Sequence, residues 1–359
     1  MDFHVFPIKS NGDRTRLNLT DKTVVFDRET VRQLLEIEEC KGAWKAFGNL
    51  PPDRLTELWR IATIESVGAS TRIEGAKLSD KEVARILANL STQSFSTRDE
   101  QEAAGCALLM NEIFDSREEA PLTENLIKRM HGTLLRFCGE DERHRGEYKT
   151  VDNHLAAFDQ SGQTVGVLFE TASASETPAL MEALVEWTNR QFLERNLPPV
   201  IVIGMFTAAF LAIHPFQDGN GRLSRAFTTL LMLRAGYGYV PYSSLESVME
   251  ASKANYYLAL HATQKTLRTE APNWNVWLAY FLRSLVRQVR NLKRKMENER
   301  LLRNMPETSM RILDLIRREG PVSIAEAAAS LKVNKFTLRD HFKRLVREGR
   351  LIPLGRGLN

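Results

Sequence analysis

Cysteine and long apolar runs are both scarce in this sequence of 359 residues. Only three cysteines occur, Cys40, Cys106 and Cys138, and their odd number and wide spacing favour neither a disulfide framework nor a zinc site. The longest apolar run, residues 200–213, is shorter than the roughly 18 residues that a membrane-spanning helix needs. The first residues show neither the basic start nor the apolar stretch of a signal peptide. We therefore expect a buried core helix at 200–213, no membrane partner and a cytoplasmic location.

A strong excess of one charge is also absent, since the net charge is only +4. The distribution is uneven, however. Residues 287–359 carry 18 Lys and Arg against 8 Asp and Glu, a net +10, so the remainder carries a net −6. A basic tail on a mildly acidic body predicts either an anionic partner for the tail or a solvated helical surface. Charge alone leaves both interpretations open.

Apolar residues at three- and four-residue spacing cover most of the chain and predict a mainly α protein. The predicted helices are 27–37, 52 into the 60s, 79–90, 99–114, 123–137, 177–194, 199–213, 223–235, 245–265 and 274–303. Ser79 and Glu82 have the spacing of a capping box at the start of one of them. The exception is the segment 148–169, where two short apolar runs flank a Ser-Gly turn, a pattern that predicts a β-hairpin.

The end of the chain has its own pattern, after a polar stretch that marks a domain boundary. A helix at about 308–318, a capped helix at 323–331, a tight turn and a basic helix at 334–348 predict a helix-turn-helix. A short strand and loop follow at 351–357, and the strand is expected to form one side of a wing. The segment resembles winged-helix DNA-binding domains, although such modules also bind proteins. On the presumed recognition helix, four basic residues share or nearly share one face: Lys335, Arg339, Lys343 and Arg347.

Residues 211–225 combine chemistry that suits a nucleotide. Pro215 should end the buried helix, and Gly219-Asn220-Gly221 allows positive φ before the next helix begins. Unpaired N–H groups at that helix start form an anion site, which Arg222 and Arg225 would extend toward phosphate oxygens. Taken singly, a turn and two solvated arginines are the ordinary interpretation, so the inference depends on their coincidence.

The same segment supplies a base and a metal ligand. His214 has a reference pKa near 6.5, which suits a general base. Asp218 offers the carboxylate oxygen that Mg²⁺ prefers beside phosphate. Base, metal ligand and phosphate cradle lie within 12 residues. The residue chemistry therefore predicts nucleotide phosphate chemistry with Mg²⁺ as the cofactor.

The run His214-Pro-Phe-Gln-Asp-Gly-Asn-Gly-Arg-Leu-Ser-Arg225 matches the Fic family motif, His-x-Phe-x-(Asp/Glu)-Gly-Asn-Gly-Arg-x-x-Arg, at every defined position. The resemblance covers most of residues 30–285. It implies a Fic-type helical bundle with a β-hairpin flap, followed by the small winged helix-turn-helix domain. The implied domains are an N-terminal helical region at 1–100, a Fic catalytic core at 101–286, a helical linker at 287–307 and the winged domain at 308–359.

The resemblance also implies an activity and its residues. His214 would deprotonate a Tyr, Thr or Ser hydroxyl of a target protein, which attacks the α-phosphate of ATP and expels pyrophosphate. Asp218 would hold Mg²⁺, Arg222 would bind a phosphate and Arg225 the γ-phosphate, while Phe216 holds the loop in the core. Asn220 and its flanking glycines would form the anion hole. The implied nucleotide-binding set is Asp218, Gly219, Asn220, Gly221, Arg222, Leu223, Ser224 and Arg225.

Ser70-Thr-Arg-Ile-Glu74-Gly75 resembles the family's inhibitory motif, (Ser/Thr)-x-x-x-Glu-(Gly/Asn). A capped acidic helix is the plainer interpretation of this loose pattern. Ser70 and Glu74 are four residues apart, so one helix can turn both toward the site. Glu74 paired with Arg225 would occupy the guanidinium that the γ-phosphate needs. The resemblance therefore implies a transferase that inhibits itself.

A flap edge and an adenine pocket are also implied by the resemblance, with ordinary packing as the alternative. The flap edge consists of Asn153, His154, Leu155 and Ala156. The adenine pocket consists of Tyr256, Tyr257 and Gln264. Lys149 stands where many relatives carry Arg, and the Pro-rich segment often found after the flap is reduced, which leaves the target preference undetermined.

Three functions follow from these observations. The first is a protein adenylyltransferase with ATP as co-substrate and protein hydroxyls, including its own, as acceptors. The second keeps the fold but removes AMP or transfers another phosphate-containing group. The third is a DNA-binding regulator whose larger part acts as a sensor. Homodimerisation stays open.

Overall fold

The computed structural model describes residues 17–46, 52–92, 94–115, 121–153, 155–158, 164–169, 171–303, 306–347 and 349–354. The chain divides into two compact units, Met1–Asn291 and Leu292–Asn359. The boundary falls inside the stretch predicted as a linker, 287–307. Within the described residues, no helix combines the length and the apolar character that a membrane crossing requires.

Among the described residues, eleven α-helices and one pair of strands begin in the first unit. The first helices are α1 (Arg28–Ala46), α2 (Pro52–Glu74), α3 (Asp80–Ala88), α4 (Arg98–Asp115) and α5 (Glu124–Leu134). The strands β1 (Leu155–Phe158) and β2 (Thr164–Phe169) follow. The remaining helices are α6 (Thr177–Glu194), α7 (Pro199–Ile213), α8 (Asn220–Arg234), α9 (Leu245–Glu250), α10 (Lys253–Gln264) and α11 (Asn275–Arg303). The predicted mainly α fold is therefore confirmed.

The core is organised around α7, whose residues from Val200 to Ile213 are all buried. The helix packs against α6, α8 and α10, and the Trp277 indole donates a hydrogen bond of 2.7 Å to the Gly204 carbonyl. The prediction of a buried core helix here is confirmed. Because α7 is buried on every side, its carboxyl end delivers the following loop into the interior rather than onto the surface.

Several boundaries match the sequence and others differ. The bounds of α6 and α7 and the capping box at Ser79 are confirmed. The strands β1 and β2 pair antiparallel with irregular register, and the residues between them lie outside the described part of the chain. The single helix predicted at 245–265 is wrong, since α9 and α10 are separate. The Ser252 hydroxyl, which donates to the Val248 carbonyl at 3.0 Å, competes with the helix ladder at that break.

The second unit contains α12 (Glu307–Glu319), α13 (Ile324–Leu331) and α14 (Lys335–Arg347). A capping box at Ser323 opens α13, as predicted, and a three-residue turn connects α13 to α14. These helices share one apolar cluster formed by Ile312, Leu315, Ala327, Leu331, Leu338 and Leu345. The strand predicted after α14 is wrong for residues 351–354, which are irregular; Pro353 lacks the N–H that a strand ladder needs. The rest of the predicted strand lies outside the described residues.

One close helix crossing supplies a test of the core. A Cβ added at Gly105 in α4 would overlap the Leu134 carbonyl in α5, whereas a Cβ at Gly42 in α1 would meet nothing within 4 Å. We expect Gly105→Ala to lower the free energy of unfolding by about 1–3 kcal/mol. Gly42→Ala should raise it by about 0.5–1 kcal/mol, because alanine is the better helix former.

Chemical unfolding followed by tryptophan fluorescence measures this difference, since all five tryptophans lie in the first unit. Equal stability of the two variants would contradict the proposed crossing.

Candidate active site

The loop between α7 and α8, residues 214–219, has an unusual backbone and is called the His214 loop below. His214 has φ 53° and ψ 60°, a left-handed conformation, and its N–H donates to the Phe210 carbonyl at 2.8 Å. Pro215 cannot extend the helix, and Gly219 has φ 78°, which glycine adopts without steric cost. Two sharp turns therefore bring the loop back so that α8 starts beside the end of α7.

The start of α8 differs from the prediction. The helix begins at Asn220, three residues earlier than the expected Leu223, so Asn220, Gly221 and Arg222 form its first turn. The Asn220 side chain accepts from the Phe216 N–H at 3.0 Å and donates to the Phe216 carbonyl at 2.7 Å. Asn220 therefore closes the loop on itself, which is a structural reason for an asparagine inside a helical turn. Leu223 and Ser224 are buried on the following turn.

His131 on α5 holds the same loop from outside the motif. Its ring lies stacked on Phe216 with centroids 3.8 Å apart, and Nε2 lies 3.1 Å from the Asp218 carbonyl. Because Nδ1 accepts from the Gly146 N–H at 2.9 Å, the proton resides on Nε2, which donates to Asp218. Burial lowers the pKa of His131 to about 4, so the ring is neutral at pH 7.

His214 is half-buried at the end of α7. Burial and, to a smaller extent, the charge of Lys149 lower its pKa to about 4, although Glu74 and Asp218 act in the opposite direction. Its Nδ1 atom finds no hydrogen-bond partner among the described residues. The imidazole is therefore neutral at pH 7 and is able to accept a proton from a bound hydroxyl group.

Asp218 presents a carboxylate beside two arginines. Its Oδ2 accepts from Arg98 Nη2 and from Arg222 Nη2, each at 2.9 Å. Burial raises the pKa of Asp218, but Arg222, the Gly219 N–H and Arg98 outweigh it and the net shift is downward. The side chain remains 45% exposed. An ionised and accessible carboxylate fits Mg²⁺, which commonly binds one protein carboxylate, substrate phosphates and waters.

No group of three metal-ligating side chains occurs among the described residues. A metal at Asp218 would consequently depend on phosphate oxygens of the nucleotide for other ligands. Arg98 and Arg222 are also held by Glu102, at 2.7 Å from Arg98 Nε and 2.9 Å from Arg222 Nη1. The chain thus surrounds Asp218 with fixed positive charge, as a site for polyphosphate requires.

Arg225 is buried, and its guanidinium contacts α2. Nε donates to the Ser70 hydroxyl at 2.9 Å, and Nη2 donates to the Ser70 carbonyl at 2.8 Å and to Glu74 Oε1 at 2.7 Å. Nη1 finds no partner among the described residues. Three of its N–H donors thus point at the helix whose sequence resembles the inhibitory motif, and the Nη1 group is available for an anion.

Glu74 also reaches the first turn of α8. A Cβ at Gly221 would overlap the Glu74 carboxylate, so a larger residue at this position would force the flexible acid side chain to move. The helix has no side-chain cap, and its amino end attracts negative charge through its free N–H groups and dipole. The Glu74 carboxylate is therefore bound to Arg225 and lies beside the first turn of α8. Gly75 ends α2 directly afterwards.

The remaining predicted site residues lie at different distances from this centre. Tyr256 is buried on α10, and the Tyr257 hydroxyl donates to the Ile73 carbonyl at 3.3 Å, one residue before Glu74. Gln264 is buried at the end of α10. Asn153 contacts the His214 loop, where Nδ2 donates to the Phe216 carbonyl at 2.7 Å. The other flap positions are less defined: His154 lies outside the described residues, and Leu155 and Ala156 belong to β1.

Comparison with known proteins agrees with this geometry. The model of the Fic/DOC family matches residues 121–232. The crystal structure of a Fic domain containing signaling protein from Bacteroides thetaiotaomicron has a TM-score of 0.58 and 25% identity, over 73% of this chain and 97% of that one. The chain is a Fic family protein.

Other Fic proteins have the same fold or related sequences. A Fic family protein from Desulfovibrio desulfuricans has a TM-score of 0.61 and 22% identity, over 92% of both chains. The protein adenylyltransferase Fic of Drosophila virilis is 23% identical over 235 residues, which are 65% of this chain and 45% of that protein. The chain spans less than half the length of the curated Fic relatives that it matches.

Sequence reasoning missed two residues that this Fic site depends on, Arg98 and His131, and it named Lys149 without assigning it a contact with His214. Arg98 and His131 lie 120 and 87 positions from Asp218 along the chain. The sequence offers only weak signals of their role. His131 stands on an apolar helical face, and Arg98 is a charged residue at a position that the burial pattern places toward the interior. Neither signal identifies a partner so distant in sequence.

His131 provides a test of the site's electrostatics. An unfolded chain binds a proton at this histidine near pH 6.5, whereas the folded chain does so only near pH 4. The unfolded state therefore binds more protons between these values, and stability is lost as pH falls from 6.5 toward 4. We expect His131→Phe to have a lower free energy of unfolding than wild type at pH 7. Because only wild type loses stability through this histidine, the gap between the two free energies of unfolding should narrow by about 2 kcal/mol from pH 7 to pH 5.

Urea unfolding at both pH values, read by tryptophan fluorescence, measures the effect. His144→Phe, at an exposed position, controls for the loss of a histidine in itself. A difference that stays constant with pH would contradict a neutral, buried His131.

Proposed function

We propose that this Fic protein is an adenylyltransferase that transfers AMP from ATP to Tyr, Thr or Ser hydroxyls of protein targets. One observation carries the proposal: the neutral His214, the ionised Asp218 and two arginines lie on and around an uncapped helix start, and a carboxylate bound to Arg225 lies beside its first turn. A carboxylate there stands in for a phosphate. Relatives named protein adenylyltransferase support the same reaction.

The reaction follows from these positions. His214 accepts the proton of the target hydroxyl, whose oxygen forms a bond to the α-phosphorus while the bond to pyrophosphate breaks. The free N–H groups at the start of α8 stabilise the charge that develops on the α-phosphate oxygens. Arg222 and Arg225 hold the phosphates in place, and Arg225 contributes the donor that is unpaired in this structure. The proton leaves with His214 and the products are AMP-protein and pyrophosphate.

Magnesium would be held by Asp218 together with phosphate oxygens, and it would neutralise part of the triphosphate charge. To release the carboxylate for this purpose, Arg98 and Arg222 must give up contacts of 2.9 Å. Both arginines keep Glu102 as a second partner. The site therefore tolerates the exchange without leaving either guanidinium unpaired.

Glu74 makes this enzyme self-inhibited. Its carboxylate occupies Arg225 and the start of α8, and a γ-phosphate needs the same donors. Removing the acid frees both at once. Removal of AMP from a modified protein is the alternative reaction, because a retained Glu74 carboxylate is also placed to orient a water molecule.

The first test is intact-protein mass after incubation with ATP and Mg²⁺, followed by mapping of any labelled peptide. We expect Glu74→Gly to gain a mass equal to one AMP, and wild type to gain much less. His214→Ala in the Glu74→Gly background should lose about 10²- to 10⁴-fold in labelling rate, the usual contribution of a general base. Glu57→Gln, an exposed acid on the same helix, is the control that should behave as wild type.

Labelling of His214→Ala at the rate of its parent would contradict the role of the base. An absence of adduct in every variant, despite measured ATP binding, would contradict transfer and favour AMP removal or a sensor.

The second unit carries a separate proposed function, the binding of duplex DNA. The face of α14 opposite its buried leucines is basic and exposed, with Lys335, Arg339, Lys343 and Arg347 along it. Phe336 is 77% exposed at the start of the same helix. The preceding helix and the three-residue turn form a helix-turn-helix, in which the second helix enters the major groove. Phosphates of a duplex are the anionic partner that this charge fits.

Fluorescence anisotropy with a short random-sequence duplex at several salt concentrations tests DNA binding. We expect Arg339→Gln/Lys343→Gln to bind more weakly and to reduce the slope of log affinity against log salt by about one per lost phosphate contact. The charge-matched variant Lys81→Gln/Arg143→Gln, at exposed positions of the first unit, is the control. Equal binding by both variants would contradict α14 as the interface and favour a protein partner.

A further inference from the structure

Lys149 is a buried lysine that the reaction described above does not use. It lies between α5 and β1 and is 4% exposed. Its ammonium group donates to three uncharged oxygens: the Asn153 amide at 2.7 Å, the Thr171 hydroxyl at 3.1 Å and the Ile213 carbonyl at 3.1 Å. No carboxylate lies within ion-pair distance of it among the described residues. A buried cation without a countercharge is costly, which indicates a role beyond packing.

The contacts of Lys149 fall on both sides of His214. The side chain binds the Ile213 carbonyl, and the backbone N–H donates to the Pro215 carbonyl at 2.8 Å. One residue thereby fixes the peptide groups that precede and follow the imidazole. Asn153 extends the contact, because its amide accepts from Lys149 and donates to Phe216.

The loop needs these donors because of its own backbone. His214 is left-handed and Pro215 follows it, so the carbonyls of this stretch leave the helical ladder while still buried. Buried carbonyl groups without a partner destabilise a fold. Without Lys149, the Ile213 carbonyl would lose the donor that reaches it from outside the helix. The position of His214 is therefore tied to a residue 64 positions away.

The charge of Lys149 also acts on His214, in addition to the hydrogen bonds that hold the loop. Burial lowers its pKa to about 8, Asp152 and Glu176 raise it, and Arg268 lowers it, so the ammonium form still dominates at pH 7. The charged groups that face His214 are Lys149, Glu74 and Asp218, and Lys149 alone disfavours the protonated ring. A nearby positive charge keeps an imidazole neutral.

We propose that Lys149 is a positioning residue for His214: it holds the peptide groups on both sides of the imidazole, and its charge favours the neutral ring. Lys149 contacts no reacting atom and acts through His214 alone. The kinetic consequence depends on the proposed adenylyl transfer, whereas the structural and electrostatic consequences do not.

The test uses the full chain and two substitutions that separate geometry from charge. Lys149→Met removes the donor and the charge, while Lys149→Gln keeps a donor and removes the charge. Lys128→Met is the matched control, since Lys128 lies near the same segment but pairs with Glu147 and the Tyr148 ring. The ring of His214 is followed by NMR in histidine-labelled protein without nucleotide, and its signal is assigned from its loss in His214→Ala.

In wild type and in Lys128→Met we expect the ring to titrate below pH 5. In both Lys149 variants the titration should move up by about one pH unit, because the like charge is gone. An unchanged titration in both Lys149 variants, each with native unfolding behaviour, would overturn the electrostatic part. If Lys149→Met does not fold, Lys149→Gln alone decides this point.

The kinetic arm is measured in the Glu74→Gly background at saturating ATP. We expect Lys149→Met to reduce kcat for labelling about 10- to 100-fold, because a small displacement of a base is costly, with little change in KM for ATP. Lys149→Gln should lose less kcat at pH 7. In its profile of kcat against pH, the fall on the acidic side should lie at higher pH than in the Glu74→Gly parent. A fall in kcat that is fully accounted for by the unfolded fraction of the variant would overturn positioning. Complete inactivity of the Glu74→Gly parent would instead count against the proposed transfer, and the titration would still decide the role of Lys149.

Discussion

The buried guanidinium of Arg225 is the constraint on which the site depends. A cation inside a folded chain needs anionic or polar partners, and Arg225 takes three of its contacts from Ser70 and Glu74 on α2. The family motif supplies the arginine but not its countercharge. Either the chain's own carboxylate or a phosphate must satisfy it. Competition between acid and nucleotide is therefore a direct consequence of where this arginine is buried.

The helix that carries Glu74 limits how that competition is resolved. From Leu58 to Ile73, eleven residues of α2 are buried, so the helix is part of the core and its removal would unfold the unit. The last residues of the helix are accessible, since the Glu74 side chain is 32% exposed and Gly75 follows. Arg72 holds this end through a bidentate pair with Glu250 at 2.6 and 3.0 Å. Exchange of Glu74 for phosphate consequently requires only a local movement of the side chain or the last turn.

Local patterns predicted the parts of the structure that depend on neighbours in sequence. The bounds of α6 and α7, both capping boxes and the turn-forming glycine of the His214 loop follow from periodicity and side chains within a few residues. The break at Ser252 and the early start of α8 depend on which hydrogen bonds a polar side chain finds, and no local pattern fixes those. The donors that shape the loop are 63 to 120 positions away. Their partners exist only once the helices have packed.

This distribution of donors indicates why a short motif cannot define the site by itself. Much of the loop backbone lies in the interior, so its carbonyls need donors, and three of these come from Lys149, Asn153 and His131. Each of the three also binds a second segment, which ties the position of the base to α5 and to the residues before β1. A neutral imidazole, an ionised carboxylate and an uncapped helix start are ordinary groups. Their joint placement is stabilised by contacts that the motif does not contain, and a chain with the motif but without these donors would have to hold its histidine in another way.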